Sequence, residues 1–125
     1  TICYDLRFAK LYRTLAHAGA RILTVPAAFS PVTGKAHWEP ILRTRAIETG
    51  CFVLAPGQTG THATSKGKPR STHGHSLVIA PWGEVLLDAG TEPGVYVIDI
   101  DLDAVDDARR RVPSLSHDRE FTLAE

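Results

Sequence analysis

Apolar and polar positions recur along this chain with two different periods, which predict helices separated by strands. Residues 5–18 carry apolar side chains at helical spacing on one face, and Gly19 follows as a stop. Residues 35–49 carry a second apolar stripe that ends at Gly50. The members of the two stripes are Phe8, Leu11, Tyr12, Leu15 and Ala18, and then Trp38, Ile41, Leu42 and Ala46. The pattern therefore predicts two amphipathic helices in the first half of the chain.

Short apolar runs flank these two helices. Residues 21–25 form a nearly continuous apolar run that ends at Pro26, and residues 52–55 form another after the second helix. Such runs suit strands that are buried on both faces, as in parallel sheets. We expect residues 21–25 to pair in parallel with a strand that ends before Cys3, and residues 52–55 to complete a second β-α-β unit. The first half is thus predicted to be α/β.

The second half of the chain follows a different pattern. Residues 57–74 are polar and rich in Gly, Ser, Thr and Lys, so we expect a functional loop that rims the site. Residues 76–80 and 84–88 predict an antiparallel hairpin, and residues 94–100 predict a further strand. A polar helix is expected over residues 101–112. No repeat or linker interrupts the pattern.

Composition excludes several classes of function. The 125 residues are 43% hydrophobic and carry 14 basic and 14 acidic side chains, so no excess of positive charge indicates nucleic-acid binding. No apolar run approaches the roughly 20 residues that a membrane span requires. We therefore expect no nucleic-acid partner and no membrane partner, and we expect the protein in the cytoplasm.

The two cysteines are predicted to have different roles. Cys3 and Cys51 lie in different strand-like runs of a chain without disulfide-rich character, so we interpret both as free thiols, with Cys51 as a buried apolar residue. Cys3 stands where a strand ends and a helix begins. A side chain on such a turn projects above the sheet, and the N–H groups of the helix point at whatever it binds. Cys3 is therefore the candidate nucleophile, and the backbone N–H of Tyr4 is the candidate donor to an oxyanion.

Residues 3–8, which read Cys-Tyr-Asp-Leu-Arg-Phe, resemble the nucleophile motif of the nitrilase superfamily, the carbon–nitrogen hydrolases. The similarity continues in register through residues 33–39, 45–49, 74–76 and 81–85. Within the superfamily these blocks are most similar to the omega-amidase and deaminated-glutathione-amidase branch. The resemblance implies an α/β fold, specifically the C-terminal part of an α-β-β-α four-layer sandwich.

The resemblance also implies a reaction. Cys3 would cleave the amide of a small carboxylate-bearing molecule through a thioester and release ammonia, without cofactor or metal, in a protein that forms homo-oligomers. Family members place a Glu base and a Lys before the nucleophile, whereas here the cysteine is the third residue. We therefore expect residues 1–125 to be the C-terminal portion of a single hydrolase domain whose N-terminal part is absent, and to be inactive as this fragment.

Candidate substrate-binding residues lie near Cys3 and after the next strand. Arg7 comes one helical turn after Cys3, where its guanidinium suits a substrate carboxylate, although a salt bridge to Asp5 or another acid is an equal alternative. Phe29, Thr33 and His37 fall in the predicted strand-to-helix loop, at the end of an open parallel sheet where ligands bind.

Glu39 is expected to have a supporting rather than a catalytic role. It lies at i,i+4 from Arg43, so a pair on a solvated helix face is one interpretation, and a contact that buttresses the preceding loop is the other.

Other functions stay open at this point. The same superfamily contains nitrilases and N-carbamoyl amidohydrolases, and a truncated version could be a non-catalytic binding or oligomerisation protein. A metal-binding protein would use His62, His73 and His75, since two of these share a strand face. No CxxC or HExxH pattern supports a metal, and the resemblance is to a metal-free family.

Overall fold

The computed structural model describes residues 1–65, 67–122 and 124. A 3₁₀ helix over Cys3–Arg7 opens the chain, and a second one over Ser114–His117 lies near its end. Between them the elements are α1 (Ala9–His17), β1 (Ile22–Thr24), α2 (Pro31–Thr49), β2 (Phe52–Ala55), β3 (Thr59–His62), β4 (Arg70–His73), β5 (Leu77–Ile79), β6 (Val85–Asp88) and α3 (Asp103–Arg111). None of the described helices combines the length and apolarity of a membrane span.

Four strands form the main sheet, in the order β1-β2-β5-β6. β1 and β2 are parallel, with Leu23 opposite Val53, and α2 connects them, so the predicted β-α-β unit is confirmed. β5 pairs antiparallel with β2 and with β6, which confirms the predicted hairpin. The result is a mixed sheet within an α/β fold.

The hydrophobic core lies between the sheet and helices α1 and α2. Tyr12 of α1 and Trp38 and Leu42 of α2 are almost completely buried, as is Val53 at the centre of the sheet. Tyr12, Trp38 and Leu42 are positions of the predicted apolar stripes, whereas Phe8 and Ala18 of the first stripe are exposed and lie outside α1. The hydroxyl of Tyr12 shares a hydrogen bond with Thr1 Oγ1 at 2.7 Å, which satisfies the polar atom of a buried side chain.

The predicted helix over residues 5–18 is wrong in its first part. The chain forms a 3₁₀ helix over Cys3–Arg7, and the α-helix begins only at Ala9. Between them Phe8 leaves the helical region, with φ −100° and ψ 84°. The carboxylate of Asp5 accepts the N–H of Ile2 at 2.9 Å, and its carbonyl accepts the N–H of Phe8. These local bonds hold the tight first turn apart from α1.

The second helix begins earlier than residue 35, and this corrects the placement of two candidate residues. Ser30 accepts the N–H of Thr33 at 3.3 Å as the N-cap, and Pro31 occupies the first helical position. Thr33 and His37 therefore lie on α2 and not in the loop before it, whereas Phe29 does precede the helix.

The polar stretch over residues 57–74 is not simply a loop. It contains the antiparallel pair β3–β4, with Thr59 opposite His73, and residue 66 lies outside the described residues. Both strands are polar on both faces, so they lack the alternation that predicts a strand. The pairing is supported from outside, because the ring of His73 packs directly against Gly34 of α2.

Two other predicted strands do not form in the described part of the chain. Residues 94–100 belong to neither sheet, and Val95 and Val97 are 94% and 88% exposed. A strand requires a partner backbone, and no described segment lies alongside these residues as one. Thr1 and Ile2 also form no strand, although Thr1 Oγ1 donates to Thr24 O at 2.8 Å beside β1.

Candidate active site

Cys3 occupies a left-handed backbone conformation at the start of the first 3₁₀ helix. Its φ of +47° is unusual for a residue other than glycine. The backbone N–H of Cys3 donates to Pro26 O at 2.8 Å and ties this turn to the segment after β1. Such conformations cost about 1–3 kcal/mol and concentrate at functional sites. The turn holds the thiol as a nucleophile elbow would.

The half-buried Cys3 lines a cavity of about 500 Å³. Its walls come from the turn around Cys3, from the segments that follow β1 and β2, and from two further loop positions. The other lining residues are Ile2, Pro26, Ala27, Ala28, Pro56, Gly57, Gln58, Ser76 and Gly94. The cavity thus lies at the carboxyl ends of the parallel strands β1 and β2, the end of an open α/β sheet where ligands bind.

Backbone hydrogen bonds fix the cavity wall beyond the ends of both strands. Ala27 donates to Pro56 O at 3.0 Å and accepts from Gln58 N at 2.9 Å, which extends the parallel pairing past Pro26. The N–H of Gly57 donates to Ser76 Oγ at 2.9 Å. A Cβ on Gly57 would lie 2.6 Å from Gly74 O, so only glycine allows this close approach. The wall is therefore a continuation of the sheet.

Arg7 lies in a cluster beside the cavity. Its guanidinium stands 5.4 Å from the ring centre of Tyr4 and 5.5 Å from that of Phe29, and Nη2 donates to His37 Nδ1 at 3.3 Å. The structure thus brings together Arg7, Phe29 and His37, three of the residues predicted to bind substrate. None of them is among the lining residues of the Cys3 cavity. The alternative Arg7 salt bridge to Asp5 is absent among the described ion pairs.

Thr33 and Glu39 lie on α2, away from the residues that line the cavity. Thr33 Oγ1 shares a hydrogen bond of 2.9 Å with Ser30 Oγ at the start of the helix. Glu39 Oε1 lies 3.3 Å from Arg43 Nη1, and both side chains are exposed. The helix-face pair is therefore the interpretation of Glu39 that the geometry fits.

Sequence reasoning missed some residues that border the cavity. Gln58 and Ser76 line it, and Arg70 of β4 donates through Nη2 to Ala28 O at 2.7 Å. Gln58 comes three residues after the end of β2, and a polar residue just beyond the carboxyl end of a parallel strand is a signal that could have been read. Nothing local indicates Arg70, because β4 reaches the wall only through the fold.

Two histidines stack at the end of β4, the strand that reaches the cavity wall through Arg70. The rings of His73 and His75 lie 4.7 Å apart, and His75 Nδ1 lies 3.0 Å from both carboxylate oxygens of Asp88. Burial and the neighbouring His75 lower the pKa of His73. Burial would raise the pKa of Asp88, but hydrogen bonds from the Gly90 N–H and from His75 lower it overall.

The residues of the alternative metal site do not assemble in the structure. His62 is hydrogen bonded to Thr72 Oγ1 at 2.8 Å, separately from the His73–His75 stack. Within the described residues, no group of three or more His, Cys, Asp or Glu side chains is arranged to hold a metal ion.

Comparison with known proteins identifies similar sequences and folds. The family model described as carbon–nitrogen hydrolase matches residues 1–110. The deaminated glutathione amidase of Synechocystis is 50% identical over 117 residues, which cover 94% of this chain and 42% of that protein. The crystal structure of the C. elegans NitFhit protein superimposes with a TM-score of 0.83 at 42% identity, over 95% of this chain and 28% of that one.

A third comparison concerns the amidase from Nesterenkonia sp. AN1, whose structure shows Michael addition of acrylamide at the active-site cysteine of a mutant. It is 29% identical with a TM-score of 0.69, over 90% of this chain and 42% of that chain. This chain thus spans less than half of the length of each of these three relatives.

Proposed function

Because the chain belongs to the carbon–nitrogen hydrolase family of the nitrilase superfamily, we propose that it supplies the nucleophile that cleaves the amide bond of a small, carboxylate-bearing substrate. The observation that carries the proposal is the position of Cys3. Its thiol stands on a left-handed turn at the start of the first 3₁₀ helix and borders a cavity at the carboxyl ends of β1 and β2. The covalent adduct at the active-site cysteine of the Nesterenkonia amidase supports a thiol nucleophile in such a fold.

The reaction follows from thiol chemistry. The thiolate of Cys3 attacks the amide carbonyl carbon, and a C–S bond forms while the carbonyl oxygen takes the negative charge. When the C–N bond breaks, the nitrogen takes a proton and leaves as ammonia. Water then attacks the thioester, releases the carboxylic acid and returns the proton to sulfur. This scheme consumes one water and needs no redox partner.

Tyr4 is proposed to stabilise the oxyanion through its backbone N–H. The first N–H groups of a helix have no intrahelical acceptor, and that of Tyr4 directly follows the nucleophile in the first 3₁₀ helix. Loss of one such donor typically lowers the rate by about 10²- to 10³-fold. The resemblance assigns the general base and a lysine to positions before the cysteine. The roles proposed for this chain are therefore the nucleophile and one oxyanion donor.

The proposed substrate class is an ω-amide with a distal carboxylate, such as an α-keto dicarboxylate monoamide or a deaminated peptide amide. Two observations of unequal weight support it: the similarity to deaminated glutathione amidases over 94% of this chain, and the guanidinium of Arg7 close to the turn of Cys3. In this proposal Arg7 contributes to recognition of the carboxylate, and Phe29 and His37 hold its side chain in place.

The test compares the two cysteines in the full-length protein that contains residues 1–125. Cys3→Ala should abolish hydrolysis of an ω-amide acid, whereas Cys51→Ala should retain it, because Cys51 is completely buried in the core. Thermal unfolding of both variants verifies that they fold. Iodoacetamide followed by peptide mapping identifies the reactive thiol independently.

Inactivation through Cys51 with Cys3 unmodified would show that the nucleophile assignment is wrong. The same assay with a matched nitrile and a matched carbamoyl compound separates the amidase from the other activities of the superfamily. Faster turnover of either compound than of the amide contradicts the proposed bond specificity.

A further inference from the structure

Arg70 is attached to the wall of the Cys3 cavity. It is the first residue of β4, and its Nη2 donates to Ala28 O at 2.7 Å. Ala28 and Cys3 both line the cavity of about 500 Å³. Arg70 lies 42 residues after Ala28 in the chain. The fold thus brings a permanent cation from the β3–β4 hairpin to a distant part of the cavity wall.

The hydrogen bonds give an approximate spacing between this cation and the thiol. Cys3 is tied to Pro26 O, and Arg70 is tied to Ala28 O, two residues further along the same extended segment. Two residues of extended chain advance by about 7 Å. The guanidinium of Arg70 is therefore offset from the thiol of Cys3, along the wall, by about the length of a short aliphatic chain. It does not lie at the carbonyl group that Cys3 would attack.

Arg70 has no acidic partner in the described part of the chain. Some other arginines form salt bridges, as Arg21 does with Asp106 and Arg45 does with Glu48. The bond to Ala28 O is the only side-chain hydrogen bond of Arg70 among the described residues, and the guanidinium carries five N–H donors. An exposed fork of this kind suits bidentate binding of a carboxylate.

Arg7 attaches to the neighbouring residue of the same segment. Its guanidinium stands over the ring of Phe29, while Arg70 is bonded to the carbonyl of Ala28. Two cations therefore hold adjacent residues at one border of the cavity. Arg7 contacts the rings of Tyr4 and Phe29 and is bonded to His37, whereas Arg70 makes a single side-chain hydrogen bond among the described residues, so Arg70 too has donors left for a ligand.

We propose that Arg70 is a specificity-determining residue that binds a carboxylate of the substrate, several bonds away from the amide that Cys3 attacks. The proposal rests on the proposed amidase function and extends it, because it assigns the charged end of the substrate to the β3–β4 hairpin. It predicts that the enzyme prefers amides long enough to reach both groups.

The experiment uses the full-length protein that contains residues 1–125 and a matched pair of substrates, succinamic acid and its methyl ester. Arg70→Gln keeps an N–H donor for Ala28 O but removes the charge. It should lower kcat/KM for the acid by about 10- to 100-fold, mainly through KM, and lower that for the ester several-fold less. Arg70→Lys, which keeps the charge, should recover part of the loss for the acid.

Arg43→Gln is the matched control. Arg43 also donates to a backbone carbonyl, Gly83 O at 2.9 Å, but at the turn between β5 and β6. It should leave the ratio of acid to ester hydrolysis unchanged. Equal losses for acid and ester in Arg70→Gln, with no recovery in Arg70→Lys, would reduce Arg70 to a structural support of Ala28 and overturn this inference alone. No hydrolysis of either compound by the unsubstituted protein contradicts the proposed function itself, and the inference with it.

Discussion

The conformation of Cys3 is maintained by its neighbours, since the left-handed backbone is unfavourable on its own. On one side the N–H of Cys3 is bonded to Pro26 O, and on the other Asp5 accepts the N–H of Ile2. The buried hydroxyl of Tyr12 bonds to Thr1 Oγ1, which in turn donates to Thr24 O. These bonds attach the residues before and after the thiol to α1 and to the end of β1, so the position of the thiol depends on the packed sheet.

The role of Arg7 can be tested by a change that keeps its charge. Arg7→Lys loses the planar fork that matches a carboxylate, so kcat/KM for an ω-amide acid should fall. The fall should correspond to a loss of about 1.5 to 3 kcal/mol of transition-state stabilisation. The methyl ester should lose less. Steady-state kinetics on the matched pair measures the difference, and equal losses for both substrates would assign Arg7 to holding Tyr4, Phe29 and His37 in place.

At the scale of elements, the β3–β4 hairpin depends on α2. The ring of His73 packs onto Gly34, and the N–H of His73 donates to Phe29 O at 2.9 Å. Trp38 of the same helix donates through Nε1 to His75 O at 2.7 Å. A hairpin of polar residues thus gains its place from a glycine-sized gap on α2 and from hydrogen bonds with Phe29 before that helix and with Trp38 on it.

Removal of this gap should uncouple the hairpin from the helix. In Gly34→Ala the new Cβ would overlap the His73 ring, and such overpacking typically costs about 1–3 kcal/mol of unfolding free energy. In a His73→Ala background the same substitution should cost much less, because the ring is absent and alanine favours the helix by up to about 1 kcal/mol over glycine. Denaturant unfolding of the two single variants and the double variant measures the coupling. If the two substitutions change the unfolding free energy additively, the contact with His73 is not the reason that alanine is unfavourable at position 34.

At the scale of the whole molecule, the end of the chain is tied to its beginning. Asp118 accepts hydrogen bonds from Arg13 Nε at 2.7 Å and lies 2.7 Å from His17 Nε2, both on α1. These two groups lower the pKa of Asp118 from 3.8 to about 2. Arg13 also donates to Glu48 O of α2, so one side chain joins three parts of the fold.

This pairing predicts a loss of stability in acid. Because the folded-state pKa of Asp118 lies below its unfolded value, the contribution is present above about pH 4 and is lost as the pH falls through about 2. The unfolding free energies of the unsubstituted protein and Asp118→Asn should therefore converge over that range. Asp107→Asn, which breaks an exposed pair within α3, is the control for the loss of a surface carboxylate. A difference between unsubstituted protein and Asp118→Asn that stays constant from pH 5 to pH 2 would contradict the assignment.

The family match extends over residues 1–110 and therefore includes both halves of the chain. The α/β fold and the membership in the nitrilase superfamily agree with the resemblance seen in the motif of residues 3–8 and in the later blocks. The homo-oligomer and the cytoplasmic location expected from the sequence stay predictions.

The sequence by itself determined the elements whose information is local. The apolar stripes predicted α1 and α2 and the burial of Tyr12, Trp38 and Leu42, the apolar runs predicted the parallel pair β1–β2, and the turn after Ile79 predicted β5–β6. The start of α2 is also local information, because Ser30 and Pro31 form an N-cap and first-turn signal in the sequence. Periodicity suffices here because each element buries one face against the same core.

Only the tertiary structure decided the hairpin β3–β4, the absence of a strand at residues 94–100 and the walls of the cavity. The strands of the hairpin have no apolar face, and residues 94–100 have the pattern of a strand but no partner backbone among the described residues. The residues that line the cavity come from five separate parts of the chain and meet through sheet register. Strand pairing and cavity walls depend on which distant backbone lies alongside, and local hydrophobic periodicity carries no information about that neighbour.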